Sequence, residues 1–311
     1  MMRTITGKSL TILAMALTAT CVSGAVLARR PQPERKGIQP RTFDSPDAAA
    51  KALIDAAGKN DTKELTDVLG SASRGILTSG NAAQDQEERK EFARLASTKN
   101  HIDHSSMNSD AAILLVGDDD WPFPIPLIRT GQQWHFDPAR GALELRARRI
   151  GANELDAIEI CTGYVGAQQA YAAQTLSGKG PEAYAQKIMS SPGGHDGLYQ
   201  PGAARELVPE GLAMAAASAR DRKPYHGYYF RVLKEQGPNA PGGAHRFVAG
   251  GVMLGGFALL AWPAEYGVSG IHAFIVSHEG DVFEKDLGPR TSVAAGQIVS
   301  YDPDSSWTIV D

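Results

Sequence analysis

The sequence predicts an α+β fold made of two successive units, each with helices first and an antiparallel sheet after. Apolar residues recur at helical spacing between Ala49 and Leu95, then alternate or run apolar between turn residues up to Phe136. A long helical stretch around Leu155, Ile158, Cys161, Val165 and Gln168/Gln169 then leads into a second set of strands. With 311 residues, 42% hydrophobic and 21% charged, the chain has material for two ordinary cores.

The N-terminus reads as an export signal. "MMRTITGK" carries Arg3 and Lys8, an apolar run follows from Leu10, and Val26-Leu27-Ala28 supplies small residues where a signal peptidase reads. The run is short and rich in Thr and Ser against the roughly 30 Å of a bilayer core, so cleavage is expected rather than anchoring. Residues 1–28 are thus expected to be a signal peptide, and 29–42, basic and Pro-rich, a flexible leader. The mature protein is expected in the periplasm or outside the cell. Lipidation at Cys21 is the minor alternative, because Thr18 stands where a lipoprotein signal has a Leu-like residue. Cleavage after Ala28 leaves Cys161 without an internal partner, and a core of this size needs no disulfide. No membrane span is expected after cleavage, since "VMLGGFALLAW" is short and broken by glycine.

Residues 43–140 are expected to form the first unit. Ser45 can cap a helix, Pro46 suits its first position, Asp47 complements the dipole, and Gly58 can stop it. "TKELTDVLG" predicts a second helix and "AAQDQEERKEFARLAS" a third, with Phe92 and Leu95 on its apolar side. "HIDHSSMNSD", "AAILLVGDD", "WPFPIPLIRTG" and "QQWHFDP" predict a meander, with a hairpin corner at Thr130-Gly131. In "DDDWPFPIP", Pro122, Pro124 and Pro126 delete donors along one side. Phe123, Ile125 and Leu127 share the other face. That pattern predicts an edge strand blunted against pairing, entered by an acidic turn, with a calcium site as the runner-up.

Residues 141–311 are expected to form the second unit. A long helix begins near Ile150. A Gly-rich loop and the helical "LVPEGLAMAAASAR" follow it. "YHGYYFRVLKEQ", "HRFVAGGVMLGGFALLAWP", "GIHAFIVSHEG" and "DVFEKDLG" predict strands, the last two joined through Glu279-Gly280.

The motifs "DDDWPFPIPLIR", "IGANELDAIEICTGYVGAQQAYA", "PYHGYYFRVLKEQGPNAPGGA", "GGFALLAWPAEYGVSGIHAFIVSHEGDVFEKDLG" and "YDPDSSW" resemble, in this order, a family of exported bacterial proteins called domain of unknown function 2950. The resemblance covers nearly all of the mature chain and implies no functional residues. The first unit is also similar in element order to the cone-shaped nuclear-transport-factor-like fold. The second resembles the globular part of type IV pilin-like proteins, which implies one long helix on an antiparallel sheet. Pilins place a hydrophobic helix before that part. Here "GALELRARRIG" is charged and polar, so assembly through a membrane helix is not implied.

The formal charge of −4 argues against nucleic acid as a partner, because phosphate binding calls for a basic excess. No nucleophile elbow or phosphate loop occurs, so no catalytic residue, metal ligand or cofactor is assigned. His101, Asp103 and His104 fall on opposite faces of a strand, which spoils a local metal site. His195-Asp196 read as a turn, and Cys161 as a buried, inert thiol.

The ligand or partner candidates are His226, Trp262, Glu265, Tyr266, His278, Trp121 and Trp134. His226 stands beside Gly227, which permits close approach. Trp262, Glu265 and Tyr266 form an amphipathic loop suited to a partner. Trp121, Trp134 and Phe136 can line a cone pocket for a small molecule, and His226, His278 and Glu265 are the candidate set for a hydrolase. The leading expectation is a non-enzymatic interaction or structural role in the bacterial envelope.

Overall fold

The computed structural model describes residues 37–78, 81–104, 109–176, 183–191, 196–199, 210–220 and 223–310. The signal segment with Cys21, the leader up to residue 36, and His195 lie outside these residues. The chain divides between Ala147 and Arg148 into two compact units.

The first unit begins with α1 (Pro46–Gly58). The Ser45 side chain accepts the Ala48 N–H at 3.1 Å, Pro46 has no N–H to leave unbonded, and Asp47 faces the dipole. α2 (Thr62–Leu69) is capped by Asp61, which accepts the Glu64 N–H at 2.9 Å. A 3-10 turn at Ser71–Ser73 and the short α3 (Arg74–Leu77) precede α4 (Ala82–Thr98), capped by Asn81. β1 (Asn100–Asp103), β2 (Ala111–Val116), β3 (Trp121–Pro122), β4 (Leu127–Thr130) and β5 (Gln133–Phe136) follow. They make an antiparallel sheet in the order β1-β2-β4-β5, with β3 also on β2. Gly131, at φ 63, opens the two-residue turn between β4 and β5. The core joins Leu53, Leu65 and Leu69 to Phe92, Phe123 and Phe136, and the Phe123 ring lies 5.3 Å from Phe92 and 5.9 Å from Phe136. Each such buried side chain contributes about 1.5–3 kcal/mol.

The proline segment is divided between a sheet edge and the start of an interior strand. β3, with Trp121 and Pro122, pairs with β2 alone and is an edge there, whereas Leu127, at the end of the segment, opens β4 between β2 and β5. Leu115 pairs with Pro122, and Ala112 with Leu127. Three steps along β2 face five along its partner, so two residues bulge out. The missing proline donors fit the break between β3 and β4. The side-chain parity holds, with Phe123, Ile125 and Leu127 all buried. The acidic run is the turn from β2 to β3, where Asp120 has φ 50 and pairs with Lys99 at 2.7 Å.

α5 (Pro138–Leu176) crosses the boundary between the units as one helix. The sequence places its start near Ile150. Its first third is helical too, begun by Asp137, which accepts the Ala139 and Arg140 N–H groups at 3.0 and 3.1 Å, and by Pro138. Glu144, Arg146, Arg148 and Arg149 hide the apolar period there. The buried stripe also differs from the expected one. It runs through Ala157, Ile160, Cys161, Tyr164, Gln168 and Ala172, whereas Leu155 is 68% exposed. Six residues before Cys161 is about 240° around the helix, off that face.

The second unit continues with the parallel pair β6 (Lys187–Met189) and β7 (Gly197–Tyr199), then α6 (Glu210–Arg220). β8 (Tyr228–Leu233) is followed by the pair β9 (Glu235–Gln236) and β10 (His245–Arg246) and by the hairpin β11 (Val248–Ala249) and β12 (Val252–Met253). β13 (Ala258–Pro263), β14 (His272–Ser277), β15 (Val282–Asp286), α7 (Thr291–Gln297) and β16 (Thr308–Ile309) complete it. The main sheet is antiparallel in the order β16-β15-β14-β13-β8, with β14 and β15 joined through the expected Glu279-Gly280 turn. β13 and β14 are buried along nearly their whole length, as their unbroken apolar runs require. The buried face of α5 shares their core, with the Tyr164 ring 5.6 Å from Phe257.

Polar side chains tie this unit together over long sequence distances. Gln168 acts as a strand neighbour for Ala185, accepting its N–H and donating to its C=O, both at 2.8 Å. The Gln236 amide donates to the carbonyls of Pro241 and Gly243 at 2.6 and 2.8 Å, which shapes the Gly-rich loop. Asp302 accepts the Asn239 N–H at 2.8 Å and fastens that loop to the closing motif. Arg231 donates to the carbonyls of Ala295 and Ile298 at the end of α7.

Candidate functional site

Three separate stretches of the sequence meet at one end of the main sheet: "NELDAIE" on α5, "YHGY" before β8, and the turn from Pro263 to His272. The centre is a two-residue hairpin turn. Tyr225 and Tyr228 exchange both N–H···O bonds at 2.9 Å around His226 (φ 43) and Gly227 (φ 75). Two left-handed residues in succession make the hairpin type whose twist suits its strands. Gly227 is required there. A Cβ on it would stand 2.6 Å from Ser269 Cβ and 2.9 Å from Asn153 Nδ2. His226 takes a conformation that few side chains adopt, and His is among those enriched in it.

The His226 side chain is fixed by a bond from Nδ1 to Asp156 Oδ2 and by stacking on Tyr225, with ring centroids 4.1 Å apart. The pair is about half exposed, so it contributes about 0–1 kcal/mol and orients more than it stabilises. The helix also holds the neighbouring turn. Asn153 Nδ2 donates to Ser269 O at 2.8 Å, and Glu154 Oε1 accepts the N–H groups of Ile271 and His272 at 2.8 and 3.0 Å. Tyr228 donates its hydroxyl to His272 O at 2.9 Å, and burial pushes its phenol up, with Glu154 adding to the effect. Beside the pair is a cleft of about 70 Å³ bordered by Asp156, Glu159, Ile160, Gly163, Leu212 and Tyr225. It offers two carboxylates and a phenol ring next to apolar wall, and the His226 imidazole is bonded to one of those carboxylates.

Of the residues expected from the sequence, His226 is at this centre. Glu265 and Tyr266 are in the adjacent turn, where Glu265 O accepts the Ser269 N–H at 2.9 Å and Tyr266 donates its hydroxyl to Asp286 at 3.0 Å. Trp262 pairs with Tyr229 across the strands, with rings 5.7 Å apart and the Arg231 guanidinium 5.4 Å from the indole.

His278 is not brought to His226. Pro263 pairs with Tyr228 at one end of β13, and Ala258 with Ser277 at the other. Five strand residues separate those ends by about 17 Å. His278 instead packs against Phe247 and Phe257, with Glu279 at 3.4 Å. Trp121 and Trp134 belong to the first unit. Trp121 borders an apolar cavity of about 40 Å³, while Trp134 is buried in the filled core, hydrogen-bonded through its backbone to Phe43. Small-molecule pockets usually measure about 300–1,000 Å³.

Asp156, Asn153, Glu154 and Glu159 escape the sequence reading, which follows only the apolar face of that helix. Their signal is position around the helix: Asp156 and Glu159 border one side of the buried stripe and Glu154 the other. Cys161 is fully buried, and burial pushes its thiol up to about 12. Asp196, in the turn expected around it, pairs with Lys187 at 2.7 Å. His101 Nδ1 lies 3.6 Å from Asp120. Among the described residues no group of three or more His, Cys, Asp or Glu is placed to hold a metal ion.

The profile of a family described as a protein of unknown function, DUF2950, matches residues 40–310. The chain belongs to the DUF2950 family. All three stretches of the sheet-end corner lie inside the matched span, as do the proline segment and the closing "YDPDSSW". No curated protein and no solved structure matches the chain, so neither the cone-shaped nor the pilin-like resemblance gains support.

Proposed function

We propose that this DUF2950 protein is exported to the bacterial envelope and works there by binding a partner protein through the Asp156–His226 corner. Its role in this reading is interaction or structure rather than catalysis. The N-terminal signal pattern supports export, and among the described residues no helix is long and apolar enough to cross a membrane. The observation that carries the binding reading is the construction of the corner. Asn153, Glu154, Gly227 and Tyr228 fix the backbone, which leaves the His226–Asp156 pair and Glu159 displayed beside the cleft. A displayed, pre-positioned polar cluster next to an aromatic ring is what a specific contact needs.

The test is affinity capture from the organism's own envelope fraction, using the mature protein and the double variant Asp156→Ala, His226→Ala. A partner retained by the wild type and by Lys63→Ala, but lost with the double variant, is the expected result. An unchanged set of captured proteins would overturn the reading. Export is checked separately by the intact mass of the secreted chain, expected to begin at Arg29.

A further inference from the structure

The second unit carries a pocket far from the corner. It has a volume of about 340 Å³ and is bordered by Tyr171 of α5, by Tyr184, Gln186 and Lys234, and by Val252 and Met253 of the β11–β12 hairpin. Tyr171 is fifteen residues along α5 from Asp156, about 22 Å at 1.5 Å per residue. The volume falls within the range of small-molecule sites.

The walls are pre-positioned. Gln186 Nε2 donates to Gly251 O at 2.6 Å, which pins the amide against the hairpin turn. Its Oε1 accepts from Lys234 Nζ at 3.2 Å, so the ammonium is drawn to the pocket with donors to spare. Tyr184 is held through its backbone N–H to Met253 O at 2.8 Å, and its ring packs edge-on against Phe257 at 4.8 Å. Burial and the nearby charge of Asp196 push the Tyr171 phenol up.

The charges divide into a closed pair and an open cation. Asp196, on the pocket wall, takes Lys187 Nζ and the Ser191 hydroxyl on one oxygen and the Ser191 N–H on the other. Those contacts, Lys187 first, hold its carboxyl well below the usual range, so it stays ionised and matched to Lys187. Among the described residues Lys234 is matched only to a neutral amide. The pocket therefore combines two aromatic rings, an apolar side, a neutral ion pair and one under-used positive charge.

We infer that this pocket binds a sugar acid: a single pyranose-sized ring that carries a carboxylate. The tyrosine rings and Val252 pack against the C–H face of such a ring. Gln186 and the Asp196–Lys187 pair exchange hydrogen bonds with its hydroxyls, and Lys234 takes the carboxylate. A single ammonium without a nest of backbone N–H groups is poorly suited to a nucleotide phosphate chain. The polar wall is equally unsuited to an acyl chain.

The test is calorimetric titration of the mature protein with glucuronic acid and N-acetylmuramic acid, with glucose and N-acetylglucosamine as uncharged counterparts. The wild type is expected to bind at least one acid saturably, and more tightly than its uncharged counterpart. Lys234→Gln is expected to weaken the acid about tenfold without changing the melting temperature, through loss of one charged hydrogen bond. Val252→Trp, at the exposed mouth, is expected to abolish binding by filling the pocket. Asp156→Ala is expected to bind the acid as the wild type does, which separates this site from the corner. Absence of saturable binding by either acid, equal affinity for acid and uncharged sugar, or unchanged affinity in Lys234→Gln would each overturn the assignment.

Discussion

The two units solve the same problem with different kinds of bond. In the first, side-chain bonds mostly run three or four residues along a helix: Ser45 to Ala48, Asp61 to Glu64, Lys51 to Asp55, Arg94 to Glu91. Its core is filled by aliphatic and phenyl side chains. In the second, buried and half-buried polar side chains reach across the sequence: 17 residues from Gln168 to Ala185, 64 from Arg231 to Ala295, 117 from Glu154 to Ile271. Local bonds tune helices that packing already selects. Long-range buried bonds hold loops that have too few apolar residues to pack alone, and they fail expensively when one partner is lost.

Alkali should expose this contrast most strongly. Burial raises the Cys161 thiol and the Tyr164, Tyr228 and Tyr301 phenols above their ordinary values. A raised group favours the folded state while it keeps its proton. The unfolded thiol loses its proton above about 8.5 and an unfolded phenol above about 10, so the stability of the second unit should fall steadily from pH 9 upward. Urea midpoints at pH 8, 9.5 and 11 measure this, and Cys161→Ala should flatten the first part of the decline. In the first unit the shifted carboxylates are Asp55, Glu91 and Asp120, each lowered by a nearby Lys or Arg at the exposed surface. Their contribution is present above about pH 4 and is lost as pH falls further.

Gln168→Leu comes next. It leaves the buried N–H and C=O of Ala185 without partners, and a loss of about 3 kcal/mol is expected by chemical denaturation. Gly237→Ala should cost about 2 kcal/mol, because a Cβ there lies 2.2 Å from Asp302 Cγ and must expel that carboxylate from Asn239. The smallest effect belongs to the first unit: Ser45→Ala removes one cap and should cost about 1 kcal/mol. If Ser45→Ala proved as damaging as Gln168→Leu, the contrast between the units would not stand.

The same contrast explains what the sequence made legible. The α+β class, the cap and proline at the start of α1, and the turns at Gly131 and Glu279-Gly280 are written locally and were readable. Which strands flank β4 is not written in "WPFPIP", because the alternation reports side-chain faces and says nothing of neighbours. The first turns of α5 hid behind their arginines, although Asp137-Pro138 marks a start. His226 is legible through the glycine beside it. Asp156 lies 70 residues away, and no spacing rule joins them. Trp134 looked like a ligand contact because a large aromatic in a short strand serves a pocket or a core equally well, and its burial puts it in the core.

The central claim is that the corner built from residues 153–159, 225–228 and 264–272 is the surface by which the protein binds. Hydrogen–deuterium exchange of the mature protein, alone and with the partner captured from the envelope, tests it directly. Added protection confined to those three stretches is the predicted result, with none at α1 or β2. Protection that falls on other segments while these three exchange unchanged would contradict the account.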